Sequence, residues 1–349
     1  MPKVAIIGSA TWGTALGITL ARKGIRVKLW TRTEEEARGL NEARENTTFL
    51  PGYRFPIRFS ATSSLEEAFD RAELVILAVP AQSMRYNVRE IKNYLNDSIL
   101  IVSATKGLEV GVSKRMSQVI TEEISPRLHS NICVLSGPNI AQETVQGLHS
   151  VSVIAAYNPA VAERAKQIIN SPRFCVFTNT DVTGVELGGA LKNVIALGAG
   201  ISDGLGYGNN AKAALITRGL AEIATLGAAM GANPLTLTGL AGLGDMIVTC
   251  YSPYSRNHYV GTELAKGQSL KEILDSMNHV AEGVSTTIAA RQLARKMGVE
   301  MPITEQIYKI LYDGLNPKEA VAELLGQPVK WEMPQIRKLT QLFKANFDK

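Results

Sequence analysis

Five polar residues in the second half of the chain fall at spacings that could do chemistry together. Lys192 lies in "VELGGALKNVIALGAGISDG", a helical stretch that puts Gly188 and Gly189 one turn before it and Ala196 and Ala199 after it. A lysine on a stripe of small residues leaves room for a ligand; alternatively, the stripe is a close helix contact and the lysine reaches past it to water. In "GLAGLGDMIVTC", Asp245 and Thr249 are four residues apart and share a face, and "SPYSRN" adds Arg256 and Asn257 shortly after. The planar fork of arginine donates two parallel hydrogen bonds to a phosphate. A carboxylate, a lysine and such an arginine suggest a small phosphorylated substrate, although each alone could be an ordinary surface charge. The four histidines share no metal-ligand spacing, so no metal site is expected, and no Ser-His-Asp order or nucleophile elbow occurs. A lysine must then donate and accept the proton. Burial and a neighbouring cation would bring its pKa towards neutrality.

At the other end of the chain, "GSATWG" follows the apolar run "KVAII". Gly8 suits the tight backbone of a dinucleotide-binding turn, and Gly13 allows close packing of the helix that follows. Ala10 replaces the middle glycine, so the loop reads either as a nucleotide turn or as a purely structural one. Its place after a strand and before a helix favours phosphate. The second strand ends in "LWTRT", where Arg32 stands in the zone usually held by a ribose-binding acid. That arrangement favours NADP(H) over NAD(H), unless Arg32 is only a solvated charge. Lys106 in "SATKGLE", and Gly137 and Asn139 in "SGPNIAQE", lie beyond the carboxyl ends of two further strands, where ligands gather in open α/β sheets.

The elements that must carry these residues are also legible. The runs "KVAII", "RVKLW", "ELVILAV", "SILIVSA", "NICVLS", "SVSVIAA" and "FCVFTN" alternate with turns and helical patterns up to about residue 180. Continuous Val/Ile/Leu runs of this kind predict a doubly wound, parallel α/β sheet covered on both faces. Beyond that point the apolar spacing is helical throughout, so the division falls at 1–184 and 185–349, with the second domain all-α. A chain of 349 residues agrees with two domains. The stretch "TTFLPGYRFPIRF" reads as a long surface connection within the first domain.

The net charge of +5 is scattered among 32 acidic residues, which points to small anions and not to a nucleic-acid groove. Three widely separated cysteines give no disulfide framework, and no export signal or membrane span is seen, so a cytoplasmic setting is expected. Small-residue helices could serve a homodimer interface.

The segments "GSATWGTALG", "VSATKGLE", "SGPNIAQE", "LKNVIALGAGISDGLGYGNNAKAALITRGLAEI", "AGLGDMIVTCYSPYSRN" and "HVAEGV" occur in an order that resembles bacterial NAD(P)-dependent glycerol-3-phosphate dehydrogenases. The resemblance runs from residue 4 to past 280 and weakens after about 300. It implies a Rossmann-type N-terminal domain, a helical substrate domain, and reduction of dihydroxyacetone phosphate to sn-glycerol 3-phosphate for phospholipid synthesis. It also implies residue roles. Lys192 would protonate the carbonyl oxygen, and Lys106 would touch cofactor and substrate. Gly137, Asn139, Asn193, Asp245 and Thr249 would line the substrate pocket, and Ser255, Arg256 and Asn257 would grip the phosphate. Thr11, Trp12, Arg32, Ala141, Val280 and Glu282 would contact the cofactor beside Gly8 and Gly13, with Arg256 reaching it too. Asn139 stands where that family commonly has a small hydroxyl residue. Two other readings remain open from sequence: a reductase of the same architecture whose substrate carries a carboxylate, and a nucleotide-sensing protein without catalysis.

Overall fold

A computed structural model describes residues 2–326, which form two compact units: 2–105 with 116–182, and 106–115 with 183–326. The two are not separated by a single cut in the sequence.

The first unit is built on an eight-stranded sheet. Its strands are β1 (Lys3–Ile7), β2 (Arg26–Trp30), β3 (Phe59–Thr62), β4 (Leu74–Leu77), β5 (Leu100–Ser103), β6 (Ile132–Ser136), β7 (Ser150–Ala155) and β8 (Phe174–Asn179). Their spatial order is β8-β7-β6-β5-β4-β1-β2-β3. Every pairing is parallel except β6 with β7, so β7 and β8 run against the other six. The central strands are apolar on both sides because both faces are covered. Val4 and Ile6 enter one core and Ala5 and Ile7 the other, as the two-residue period of a strand requires.

The stretch expected to be a surface connection is more ordered than that. Leu50–Arg54 pairs with Glu45–Asn46, and Phe59 opens β3, in register with Val27 of β2. Phe55 and Phe59 are buried with ring centroids 4.2 Å apart. Gly17 is what admits Phe59, since a Cβ there would lie 2.1 Å from its ring. Prolines and arginines around these aromatics mask the strand; the neighbour that pairs with it is distant in sequence.

In the second unit, residues from 183 onward form only helices among those described. The helix Val182–Gly204 is apolar nearly all round and buried along most of its length. Its small residues let other backbones approach. A Cβ at Gly188 would lie 2.7 Å from the Ala241 carbonyl oxygen, and one at Gly200 would lie 2.0 Å from that of His258. At Gly188, one of the small residues beside Lys192, the space is therefore taken by a neighbouring segment of the same unit. Residues 106–115 join this unit as a hairpin, Leu108–Glu109 against Lys114–Arg115, with Leu108 fully buried in the helical core. No helix among the described residues is long and apolar enough to cross a membrane.

Candidate active site

Helix Val182–Gly204 carries Lys192, which is buried yet does not reach for water. Its ammonium donates to Asp245 Oδ1 and, at 2.5 Å, to Thr249 Oγ1. The Thr249 hydroxyl donates its own hydrogen bond to the Asp245 backbone carbonyl at 2.6 Å, so it faces the lysine as an acceptor. Lys106 donates to the other carboxylate oxygen, Oδ2, at 2.6 Å. One fully buried carboxylate thus lies between two ammonium groups.

This geometry follows from the glycine-rich segment. Leu240–Gly244 widens into a π-helical turn ahead of the helix Asp245–Tyr251, and Gly188 admits Ala241 and Gly242 beside Lys192. Close approach at Gly188 is what brings Asp245 and Thr249 onto the lysine one turn later. Burial lowers the Lys192 pKa to about 8; the charge of Asp245 pulls it up, and that of Lys106 pushes it down again. A lysine so placed changes protonation near neutral pH and has one N–H left for a reacting oxygen.

The helix Arg256–Ala265 is capped by Ser255, whose hydroxyl accepts from the His258 backbone N–H. Arg256 is exposed at its start and makes no ion pair among the described residues, with Glu282 in electrostatic range. Asn257 is largely committed to the fold: its amide donates to Asn193 Oδ1 at 2.9 Å and its oxygen accepts from Gly283 N–H at 2.8 Å. The pair ties Asn193, next to Lys192, to the start of the helix Glu282–Met297. Glu282 is partly buried there, and Val280 is exposed just before it.

The first unit holds the glycine turn. Gly8 has φ +117°, and a Cβ there would lie 2.4 Å from the Ala78 carbonyl oxygen; at Gly13 it would lie 1.9 Å from that of Gly8. Ala10, by contrast, has φ −73° and ψ −177°, extended backbone that needs no glycine. It caps the helix Thr11–Arg22 without a side-chain bond, and the first turn contains no acid, so backbone N–H groups are left for an anion. These features fit a dinucleotide phosphate.

The neighbours differ in how freely they could serve. Thr11 donates to the Phe49 carbonyl and Trp12 packs on Phe174. Arg32 is exposed at the end of β2, with its guanidinium over Tyr86 at 5.8 Å. Thr33 caps the next helix and Thr31 donates to the Thr33 carbonyl, so Arg32 is the side chain there with a free donor fork. Gly137, at φ +152°, passes close to Ser152, and Ala141 begins the helix Ala141–Gln146. Asn139 is fully engaged: it donates to the Pro138 and Val151 carbonyls and accepts from Ser152 Oγ. Its side chain is locked into the loop.

A buried lysine held near neutrality and a dinucleotide-type turn are the parts required by a nicotinamide-dependent dehydrogenase that works on a carbonyl and its alcohol. Family models narrow this further. The model for the N-terminus of NAD-dependent glycerol-3-phosphate dehydrogenase matches residues 3–162, and the model for its C-terminus matches 181–322. This chain belongs to that family.

A glycerol-3-phosphate dehydrogenase [NAD(P)+] from Dehalococcoides mccartyi is 56% identical over 334 residues, which is 95% of this chain and 93% of that protein. One from Geobacillus thermodenitrificans is 49% identical over 337 residues, 96% of this chain and 98% of its own. The crystal structure of glycerol-3-phosphate dehydrogenase from Coxiella burnetii matches with a TM-score of 0.88 at 37% identity, over 93% of this chain and 98% of that one. The chain is accordingly an oxidoreductase that interconverts dihydroxyacetone phosphate and glycerol 3-phosphate by hydride transfer with NAD(P)H.

Proposed function

We propose that this enzyme works chiefly as a reductase of dihydroxyacetone phosphate in the cytoplasm, prefers NADPH to NADH, and supplies glycerol 3-phosphate for phospholipid synthesis. Residues 1–184 would serve mainly the cofactor and 185–349, with Lys106, mainly the substrate. The observation that carries the reading is Lys192, buried, near neutral in pKa and sharing Asp245 with Lys106.

When bound, the nicotinamide supplies the hydride for C2. Lys192 gives its proton to the carbonyl oxygen and takes it back in the reverse direction. Asp245 and Thr249 hold the ammonium so that its remaining N–H points at that oxygen, and Lys106 adds positive charge where the alkoxide would develop. Asn193, with its amide oriented by Asn257, lines the same pocket, and Gly137 and Asn139 contribute a loop to it. Arg256, with Ser255 and Asn257 at the helix start, grips the phosphate and fixes the distance from there to C2. Gly8, Thr11, Trp12, Gly13, Arg32 and Ala141 would contact the cofactor, as would Lys106, Arg256, Val280 and Glu282. Three free cysteines fit a reducing compartment.

Initial rates with dihydroxyacetone phosphate, against NADH and NADPH in turn, test the reading directly. Ketopantoate is the comparison substrate, and a preference for it would replace the phosphate reading with a carboxylate one. Arg256→Ala removes a charge-assisted contact worth about 1.5–3 kcal/mol, so KM for dihydroxyacetone phosphate should rise roughly 10- to 150-fold with a smaller change in kcat. An unchanged KM would take Arg256 out of the phosphate site. Arg32→Ala should raise KM for NADPH while leaving that for NADH nearly alone. If the ratio of the two does not move, Arg32 has no part in the choice.

A further inference from the structure

The hairpin 106–115 raises a question of mechanics that Lys106 alone does not answer. Lys106 follows directly on residues of the first unit, yet its ammonium must stay on Asp245 of the second. Something has to fasten its short segment there.

Three contacts do so. Leu108, two residues after Lys106, is fully buried in the helical core. At the hairpin's other end, Arg115 sits directly opposite Leu108 in the strand register and forms an ion pair with Glu186. Ser113 donates to Gln292 at 3.2 Å. Glu186 belongs to the helix that carries Lys192, six residues earlier and so about 9 Å along the axis.

Both members of the ion pair are more than nine-tenths buried, at 8% and 7% exposure. A buried pair is a poor stability device, because desolvation takes back most of the attraction and an apolar pair of like volume does as well. What it supplies that apolar contacts lack is a defined register between hairpin and helix.

We propose that Arg115 and Glu186 are positioning residues for the reaction: their ion pair locks the hairpin to the Lys192 helix and so holds the Lys106 ammonium on the second oxygen of Asp245. The idea rests on the catalytic reading of Lys192 given above. If the pair is lost, Lys106 drifts, Asp245 serves Lys192 alone, and Lys192 holds its proton more tightly. The direction agrees with the charges around Lys192, where Lys106 opposes protonation and Asp245 favours it.

The test uses the double variant Arg115→Met/Glu186→Leu, which removes both charges of the buried pair together. Its kcat/KM for dihydroxyacetone phosphate reduction is followed against pH with NADPH, beside its melting temperature and the Lys106→Met variant. The expected result is a folded protein of near-normal melting temperature whose alkaline limb moves up by about one pH unit, in the same direction as with Lys106→Met. An unmoved limb in the folded double variant, while Lys106→Met moves it, overturns the proposal and leaves the catalytic reading standing. A collapse of the melting temperature also overturns it, because the pair is then structural. If neither Lys106→Met nor Lys192→Met alters rate or limb, it is the reading of the site that has failed.

Discussion

Lys192→Met should lose about 10²- to 10⁴-fold in kcat for reduction of dihydroxyacetone phosphate, the usual worth of a positioned general acid. Methionine keeps the length of the side chain and suits its buried setting. Asp245 is not orphaned by the change, because Lys106 still donates to Oδ2, so the fold should survive. KM should move less than kcat, since the phosphate is gripped by other residues. The pH profile gives the sharper signature. In reduction Lys192 must start protonated, so kcat/KM should fall as pH rises through about 8; in oxidation it must start neutral, so activity should rise over the same range. The variant should lose both limbs. Near-normal turnover by a folded Lys192→Met protein would end the assignment of the proton to this lysine.

How much of this was legible depends on whether a residue's partner is near it in sequence. The apolar runs announce β1, β2 and β4 to β8; in the central strands burial on both faces forces continuous apolar residues, while edge strand β8 buries Phe174 and Val176 and exposes Cys175 and Phe177. β3, with the sequence "FSAT", carries no such run, and its pairing with β2 crosses more than 30 residues. Asp245 and Thr249 could be placed on one face from their spacing, and both do meet Lys192. That Lys106 meets the same carboxylate was not legible, because it depends on a hairpin whose only local cue is the turn around Gly111. The small stripe beside Lys192 shows the limit most clearly. Sequence allowed either ligand space or helix packing. At Gly188 the structure puts the backbone of Ala241 and Gly242 in that space, and this packing is what delivers Asp245 to the lysine. Asn139 and Asn257 show the converse case. Both are polar residues in site-like loops, and their amides are largely taken by the fold itself.

Asp245→Asn should be more damaging than the loss of one contact implies. The carboxylate is fully buried between two ammonium groups, and an amide there offers N–H donors to groups that can only donate. Breaking a buried pair from one side costs about 3–5 kcal/mol, which should appear as a melting temperature lower by roughly 10 °C. The functional effect has a definite sign. Asp245 is what favours the charge on Lys192, and Lys106 opposes it, so removing the carboxylate drops the lysine pKa further below 8. Each unit of that drop leaves up to about tenfold less protonated lysine, the full factor being reached above the original pKa. Reduction should therefore lose its activity at pH 8 first and recover part of it towards acid. This is opposite to the shift expected when Lys106 alone is removed. The pair of variants consequently tests the shared carboxylate more strictly than either one: limbs that move in opposite directions follow from two lysines on one Asp245, whereas limbs that move together would mean that the ammonium groups do not compete for it.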